Sequence, residues 1–255
     1  MKVITITKKG LICILACVLI GAIMLTVGTS TATQVLETSN TERIIPIYYV
    51  DTKDKVCAIS FDAAWGNEQT DTLLDILDEH NVKTTFFLVG EWVDKYPQSV
   101  AEISKRGHDV GNHSDTHAHM TQLSRSAQKT EFDNCNKKIS AITKKEVTLF
   151  RPPYGEYDNT VVEICNDTGM YCVQWNIDSL DWKDPSPQEM VQRIENNLCE
   201  GSIILLHNGA TNTPEALPLI IKSIKAKGYD IVPISQLIPQ GEYYTDHEGK
   251  MILTS

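Results

Sequence analysis

Four times along the chain a polar, helix-like stretch stops at a glycine, and an apolar run starts two or three residues later. Gly107 precedes Asp109-Val110, Gly169 precedes Tyr171-Cys172-Val173, Gly201 precedes Ile203-Ile204-Leu205-Leu206, and Gly228 precedes Ile231-Val232. Glycine takes up the left-handed backbone just past a helix end without steric cost. The expected helix starts agree: Ser186-Pro187 and Thr213-Pro214 each put a capping hydroxyl before a proline at the first helical position. Leu73, Leu74, Ile76 and Leu77 form the apolar stripe of a helix near 68–80. Alternation of strand and helix means a parallel sheet, open or closed into a barrel. Strands are expected at 56–61, 84–89, 108–111, 148–150, 171–175, 203–206 and 230–232, with a short edge strand at 45–49. In such folds the site lies at the carboxyl ends of the strands.

The 255 residues suit one α/β domain with a short terminal extension. A formal net charge of −10 argues against a nucleic-acid partner, since phosphate binding needs a basic surface. The N-terminus reads differently from the rest. Lys2, Lys8 and Lys9 precede an uncharged stretch from Gly10 to Leu36, apolar from Leu11 to Val27 and close to the length of a bilayer span. Positive charge before it predicts a cytoplasmic N-terminus and an exported body. Two readings stand: a retained signal anchor, giving a membrane-anchored extracytoplasmic domain, or a signal peptide cut near Ser30-Thr31-Ala32, giving a secreted one. The length of the apolar core favours the anchor. The expected layout is a signal anchor or signal peptide at 1–30, linker and possible edge strand at 31–54, a catalytic-type domain at 55–240, and a loosely packed polar tail at 241–255. The body keeps Cys57, Cys135, Cys165, Cys172 and Cys199, without CxxC spacing, which argues against a thiolate zinc site.

Five motifs fall at the downstream ends of expected strands: Ser60-Phe61-Asp62, His113-Ser114-Asp115-Thr116-His117, Arg151-Pro152-Pro153-Tyr154-Gly155, Asp178-Ser179-Leu180-Asp181-Trp182 and Leu205-Leu206-His207. His113 and His117 are four apart, so one helical turn would put both rings on one side, a spacing that suits a metal pair. Imidazole donors favour zinc, with cobalt or nickel compatible. Asp62 is a base, a ligand or a helix cap. Arg151 leaves a turn stiffened by two prolines, and its guanidinium fork suits holding a carboxylate, in a site or in a structural salt bridge. Asp181 can raise the pKa of His207, which would make it a general acid. Trp182 and Trp175 either wall a pocket or belong to the core. His80, His108, His119 and His247 read as ordinary histidines.

Together these motifs resemble those of the NodB-type polysaccharide deacetylases, carbohydrate esterase family four, over about 55–237. The variant Phe61-Asp62-Ala63-Ala64-Trp65-Gly66 is most similar to the sporulation-associated branch. The resemblance implies a distorted (β/α) barrel and metal-dependent removal of N-acetyl groups from peptidoglycan or chitin-like polymers of N-acetylglucosamine. It further implies Asp62 as general base, His113 and His117 as metal ligands, Arg151 as the group orienting the base, and Asp181 as the partner of the general acid His207. Tyr154 would offer its backbone N–H to the oxyanion, and Leu205 with Trp182 would receive the acetyl methyl. The family's third metal ligand, the aspartate after the base, is Ala63 here, with Asn67, Glu68 and Asp115 as the nearby substitutes. Two other readings use the same residues: a glycan-binding protein with little or no catalysis, and an O-acetyl esterase on xylan-like polymers.

Overall fold

In the computed structural model, residues 42–254 are described; the segment 1–30, read above as a signal anchor or signal peptide, lies outside them. Among the described residues no helix is long and apolar enough to cross a membrane. The strands are β1 (Tyr49–Val50), β2 (Val56–Ala63), β3 (Thr85–Leu88), β4 (Asp109–Asn112), β5 (Leu149–Phe150), β6 (Tyr171–Cys172), β7 (Ile177–Asp178), β8 (Ser202–His207), β9 (Asp230–Ile231), β10 (Tyr243–Thr245) and β11 (Lys250–Leu253). The helices are α1 (Thr70–Glu79), α2 (Gly90–Lys95), α3 (Pro97–Lys105), α4 (Arg125–Thr143), α5 (Asn159–Asp167), α6 (Pro187–Asn197), α7 (Thr213–Ala226) and α8 (Ile234–Leu237).

The strands form one curled sheet in the order β10-β11-β1-β8-β2-β3-β4-β5-β6, with β7 also on β8 and β9 also on β2. The run from β8 to β6 is parallel throughout. A bridge between Ile47 and Val173 links the segment before β1 to the chain just past β6, so the sheet bends round on itself. Its two faces bury different clusters. Cys57, Ile59, Phe61 and Ala63 of β2 join the apolar layer between sheet and helices, whereas Ala58 joins the interior cluster with Phe87, Leu149, Val173 and Ile203. Period-two alternation along β2 therefore sends Asp62 to the interior face and Ala63 to the helix-facing one.

Register fixes where the site lies. Asp62 is the direct partner of His207 across β2 and β8. Leu88 of β3 is level with Asn112 of β4, which is level with Phe150 of β5. His113 and Arg151, each one residue past its strand, extend this ladder by hydrogen bonds to the Leu88 and Asn112 carbonyls. The motif residues thus form one row along the carboxyl ends.

The expected glycine turns are present: Gly107, Gly169, Gly201 and Gly228 have φ of 83°, 69°, 75° and 81°. At Gly201 a Cβ would fall 1.8 Å from the Val50 carbonyl oxygen, so close approach to β1 also demands glycine. Ser186 caps α6 in a capping box with Glu189, as expected. Four expectations are corrected. The edge strand at 45–49 becomes β1 at Tyr49–Val50, an interior strand between β11 and β8. The tail expected at 241–255 does not pack loosely over its described residues, because β10 and β11 pair with each other, β11 pairs with β1, and Met251 is buried. Thr213 does not cap α7, whose cap position is Asn212. The segment from His113 to His117 is a loop with left-handed residues and not a helical turn. All five body cysteines are unpaired thiols, four of them buried.

Candidate active site

A cavity of about 360 Å³ at the carboxyl ends is lined by Asp62, Trp65, His113, His117, Tyr154, Trp175, Asp178, Trp182, Leu205 and His207. A larger and more open groove of about 580 Å³ beside α2 and α4 gathers no comparable set of groups.

Asp62 ends the interior face of β2 and is almost fully buried. Burial alone would raise its pKa, but the nearby charge of Arg151, aided by His113 and His207, outweighs this and holds the carboxyl below the usual range. Arg151 Nη1 donates to Asp62 Oδ1 at 2.8 Å and Nη2 to the Gln174 carbonyl at 3.0 Å. The fully buried guanidinium also lies over the Phe87 ring, 4.1 Å from its centroid. Ionic, hydrogen-bonding and stacking contacts together fix one orientation of the fork.

Beside Asp62, His207 Nδ1 lies 2.7 Å from Asp181 Oδ1. The other oxygen of Asp181 accepts from the His207 amide at 2.6 Å and the Thr213 hydroxyl at 2.8 Å. Asp181 is held by a tight turn: Leu180 is left-handed at φ 59°, its N–H donates to Asp178 Oδ1, and the Asp181 N–H donates to Ser179 Oγ. Burial works against protonation of His207, yet the hydrogen bond and charge of Asp181 win, and its pKa is raised. With Nδ1 donating to Asp181, Nε2 is the nitrogen left to exchange a proton in the cavity.

On the other side, His113 Nδ1 is 2.7 Å from the Arg151 carbonyl oxygen, which only accepts. The proton of the neutral ring therefore sits on Nδ1, and Nε2 carries a lone pair. That nitrogen is 3.4 Å from Asp62 Oδ2. Two acceptors facing each other at this distance need a proton or a cation between them. Burial keeps His113 below the ordinary histidine range, and burial with the neighbouring His113 pushes His117 down to about 4. Both rings are thus neutral near pH 7, the ligand form, with centroids 5.0 Å apart. This donor chemistry fits a divalent cation held by two imidazoles and water. Catalytic zinc sites commonly use three protein ligands. Among the described residues no group of three or more His, Cys, Asp or Glu is placed to hold a metal. Ala63 is buried on the other face of β2. The substitutes do not fill in: Asn67, Glu68 and Asp115 do not line the cavity, and Asp115 pairs with Lys138 at 2.6 Å.

Tyr154 follows Pro152-Pro153 in a left-handed conformation, φ 59°, with its ring half exposed and edge-on to His117 at 4.5 Å. Leu205 is buried in the cavity wall and Trp182 is half exposed at its mouth. Every candidate from the five motifs is accounted for: Arg151 and Asp181 stand behind the cavity wall, and the others line it.

Three further residues belong here. Trp65 stacks on His207, ring centroids 5.6 Å apart and 24° from parallel, and meets His117 edge-on. Its fit depends on Gly209, where a Cβ would crowd the Trp65 backbone and indole. Thr213 ties α7 to Asp181. His119, read as ordinary, stacks on Tyr154 at 4.3 Å and pairs with Glu156 at 2.8 Å. Only Trp65 carried a signal, as an apolar aromatic two residues past the β2 terminus.

Comparison with known proteins bears on the family and the fold. The family model described as polysaccharide deacetylase matches residues 49–173. The Bacillus subtilis protein YlxY is 34% identical over 195 residues, 76% of this chain and 61% of that protein, so the chain spans less than two thirds of its length. A peptidoglycan-N-acetylglucosamine deacetylase of Bacillus cereus is 33% identical over 74% of this chain and 91% of that one. Among solved structures, BA3943 of Bacillus anthracis, described as a CE4 family pseudoenzyme, superposes with a TM-score of 0.74 at 34% identity, covering 81% of this chain and 70% of that one. On sequence, fold and the row of groups along its strand ends, this chain belongs to the polysaccharide deacetylase family.

Proposed function

We propose that the protein is a hydrolase that removes N-acetyl groups from peptidoglycan, or from a related polymer of N-acetylglucosamine. One observation carries the reading: Asp62 and His207 sit side by side across β2 and β8 in one cavity, each backed by a buried partner that favours the protonation state it needs. Titratable neighbours pushed in opposite directions mark an acid–base pair. A divalent cation on His113 and His117, zinc by preference with cobalt or nickel compatible, would supply polarisation of the amide carbonyl and acidification of water.

Asp62 accepts a proton from the attacking water, and Arg151 keeps the carboxylate ionised and aimed. The resulting hydroxide oxygen bonds to the acetyl carbon. The Tyr154 N–H donates to the oxyanion, a contribution of about 3–4 kcal/mol for one well-placed donor. Leu205 and Trp182 take the acetyl methyl. As the C–N bond breaks, His207 Nε2 gives its proton to the leaving nitrogen, so acetate and a free amine result. The N-terminal segment 1–30 would hold the body outside the cytoplasmic membrane as an anchor, or release it if cut. Sporulation remains an expectation from the Phe61–Gly66 variant.

The test incubates the protein with N-acetylglucosamine oligomers and with peptidoglycan, with and without zinc or cobalt, and measures acetate. Metal-dependent release that vanishes in His207→Ala is the expected result. Glycan binding without release under any metal would refute it and support a second reading, a catalytically silent glycan binder. That reading draws on Ala63 and on the structural likeness to BA3943, described as a pseudoenzyme, of which a mutant is described as having restored activity. Release from acetylated xylan in place of these substrates would make the protein an O-acetyl esterase.

A further inference from the structure

Between the two cavity histidines the backbone turns through Ser114 at φ 66° and reaches His117 at φ 57°. Positive φ is uncommon for any residue but glycine, and serine has no special leaning to it, so the surroundings must hold this loop in shape. One face of α4 does so. Glu131, Asn134 and Lys138 are spaced i, i+3 and i+7, which brings them to the same side of the helix. Glu131 Oε2 accepts from the backbone N–H of Asp115 at 2.9 Å and of Thr116 at 2.8 Å, and Oε1 accepts from the Thr116 hydroxyl at 3.0 Å. Lys138 Nζ lies 2.6 Å from Asp115 Oδ1, and Asn134 Nδ2 donates to Asp115 Oδ2 at 3.3 Å.

The opposite side of the loop is held by α2. The Gly90 and Glu91 N–H groups donate to the Ser114 and Asp115 carbonyls. Gly90 has no latitude, since a Cβ there would fall 2.0 Å from Asp115 Oδ1. Glu131 makes no salt bridge among the described residues; its three side-chain hydrogen bonds all go to this loop. A carboxylate collecting two adjacent amides and a hydroxyl forms charge-assisted hydrogen bonds, roughly twice as strong as neutral ones. It is placed to hold a backbone shape and not to balance a cation.

We propose that Glu131 is a positioning residue that sets the spacing of His113 and His117, and through it the affinity of the pair for a divalent cation. Glu131 touches neither ring and acts through the two amides between them. The inference rests on the reading of His113 and His117 as ligands and adds the element that shapes them.

The test compares the full chain with Glu131→Gln and Glu131→Ala, using cobalt alone as the probe. Three quantities are read: cobalt affinity and its d–d absorption, the exchange rates of the Asp115 and Thr116 amide protons, and the thermal midpoint without metal. Glu131→Ala is expected to weaken cobalt binding by about 10–100-fold, the usual scale for losing a group that orients ligands. Its absorption band should change and its two amides should exchange faster. Glu131→Gln keeps one carbonyl acceptor and should recover part of each effect. A folded Glu131→Ala with unchanged affinity, band and exchange overturns the proposal. If that variant does not fold, Glu131→Gln decides: parent-like cobalt affinity and exchange overturn it. If the parent binds no cobalt, the metal reading fails by itself. The affinity part of the proposal falls with it, and the spacing part is judged on the imidazole NMR signals of His113 and His117, which must shift in Glu131→Gln for it to stand.

Discussion

On the β2–β8 side of the cavity, Asp62 and His207 each meet a buried partner of opposite charge, Arg151 and Asp181, and each partner is itself hydrogen-bonded further out. On the facing side, His113 has the Arg151 carbonyl on Nδ1 and Asp62 Oδ2 3.4 Å from Nε2, both His113 and His117 are neutral rings, and no third ligand stands where the family places a carboxylate. The first side carries its protonation states in its own contacts. The second depends on a loop held by Glu131 and on a cation supplied from outside. The two sides meet at Asp62, which faces His113, so it is substitutions at His207 and Asp181 that should leave the metal side readable.

The largest effect is expected from His207→Ala. Acetate release should fall by about 10²–10⁴-fold, the usual range for a general acid, with bound metal unchanged. Loss of metal in step with activity would break the separation of the two sides. Next comes Arg151→Met, which strands a buried carboxylate. Urea unfolding near pH 7 should show a loss of about 3–5 kcal/mol, as for removal of one partner of a buried pair. The sign with pH follows. In the parent the folded pKa of Asp62 is depressed, so this stabilisation is present above the unfolded value, about 4, and is lost as pH falls through the folded one. In Arg151→Met burial is opposed only by the weaker pull of His113 and His207, so the stability gap should narrow below about pH 4.

Ala63→Asp sharpens the metal side. Without metal the new carboxyl lies buried and unpaired and, taken as protonated, should lower stability by about 1–3 kcal/mol. Zinc should restore it, with an affinity about tenfold above the parent's, or roughly 1.4 kcal/mol. Thermal midpoints with and without zinc measure both, and an unchanged zinc response would show that position 63 cannot reach the ion from the helix-facing side of β2. The smallest effect is a displacement along the pH axis. Asp181 raises the pKa of His207, so the alkaline limb of acetate release should move to lower pH in Asp181→Asn. A limb that stays in place would exclude His207 as the titrating group.

The positions of the parallel strands along the chain and the motifs at their ends were legible because both are local. A glycine stop followed by an apolar run marks β4, β6, β8 and β9, and at β2, β4, β5 and β8 a functional group sits at the strand's last residue or directly beside it. What escaped was non-local or conformational. Thr213 looks like a helix cap beside Pro214, yet its hydroxyl goes to Asp181, 32 residues earlier. The polar tail hides a hairpin because β10 and β11 gain their stability from β1, some 200 residues away in sequence. The spacing of His113 and His117 suggested a helical turn, but the distance between rings is reached through left-handed backbone. Of the seven non-glycine residues with positive φ among the described residues, Ser114, His117, Tyr154 and Leu180 lie in the loops that carry the site. Such conformations are imposed by tertiary contacts, and the residue types do not announce them.

The most direct test counts bound zinc and released acetate in the same sample, for the parent and for Asp62→Asn, with N-acetylglucosamine oligomers as substrate. The expected result is acetate release by the parent and a loss of about 10²–10⁴-fold in Asp62→Asn, compared at zinc concentrations where the bound-zinc count is the same in both. Release by Asp62→Asn within about tenfold of the parent, below that usual range for an acid–base group, would contradict the assignment of the base and the acid–base pairing built on it.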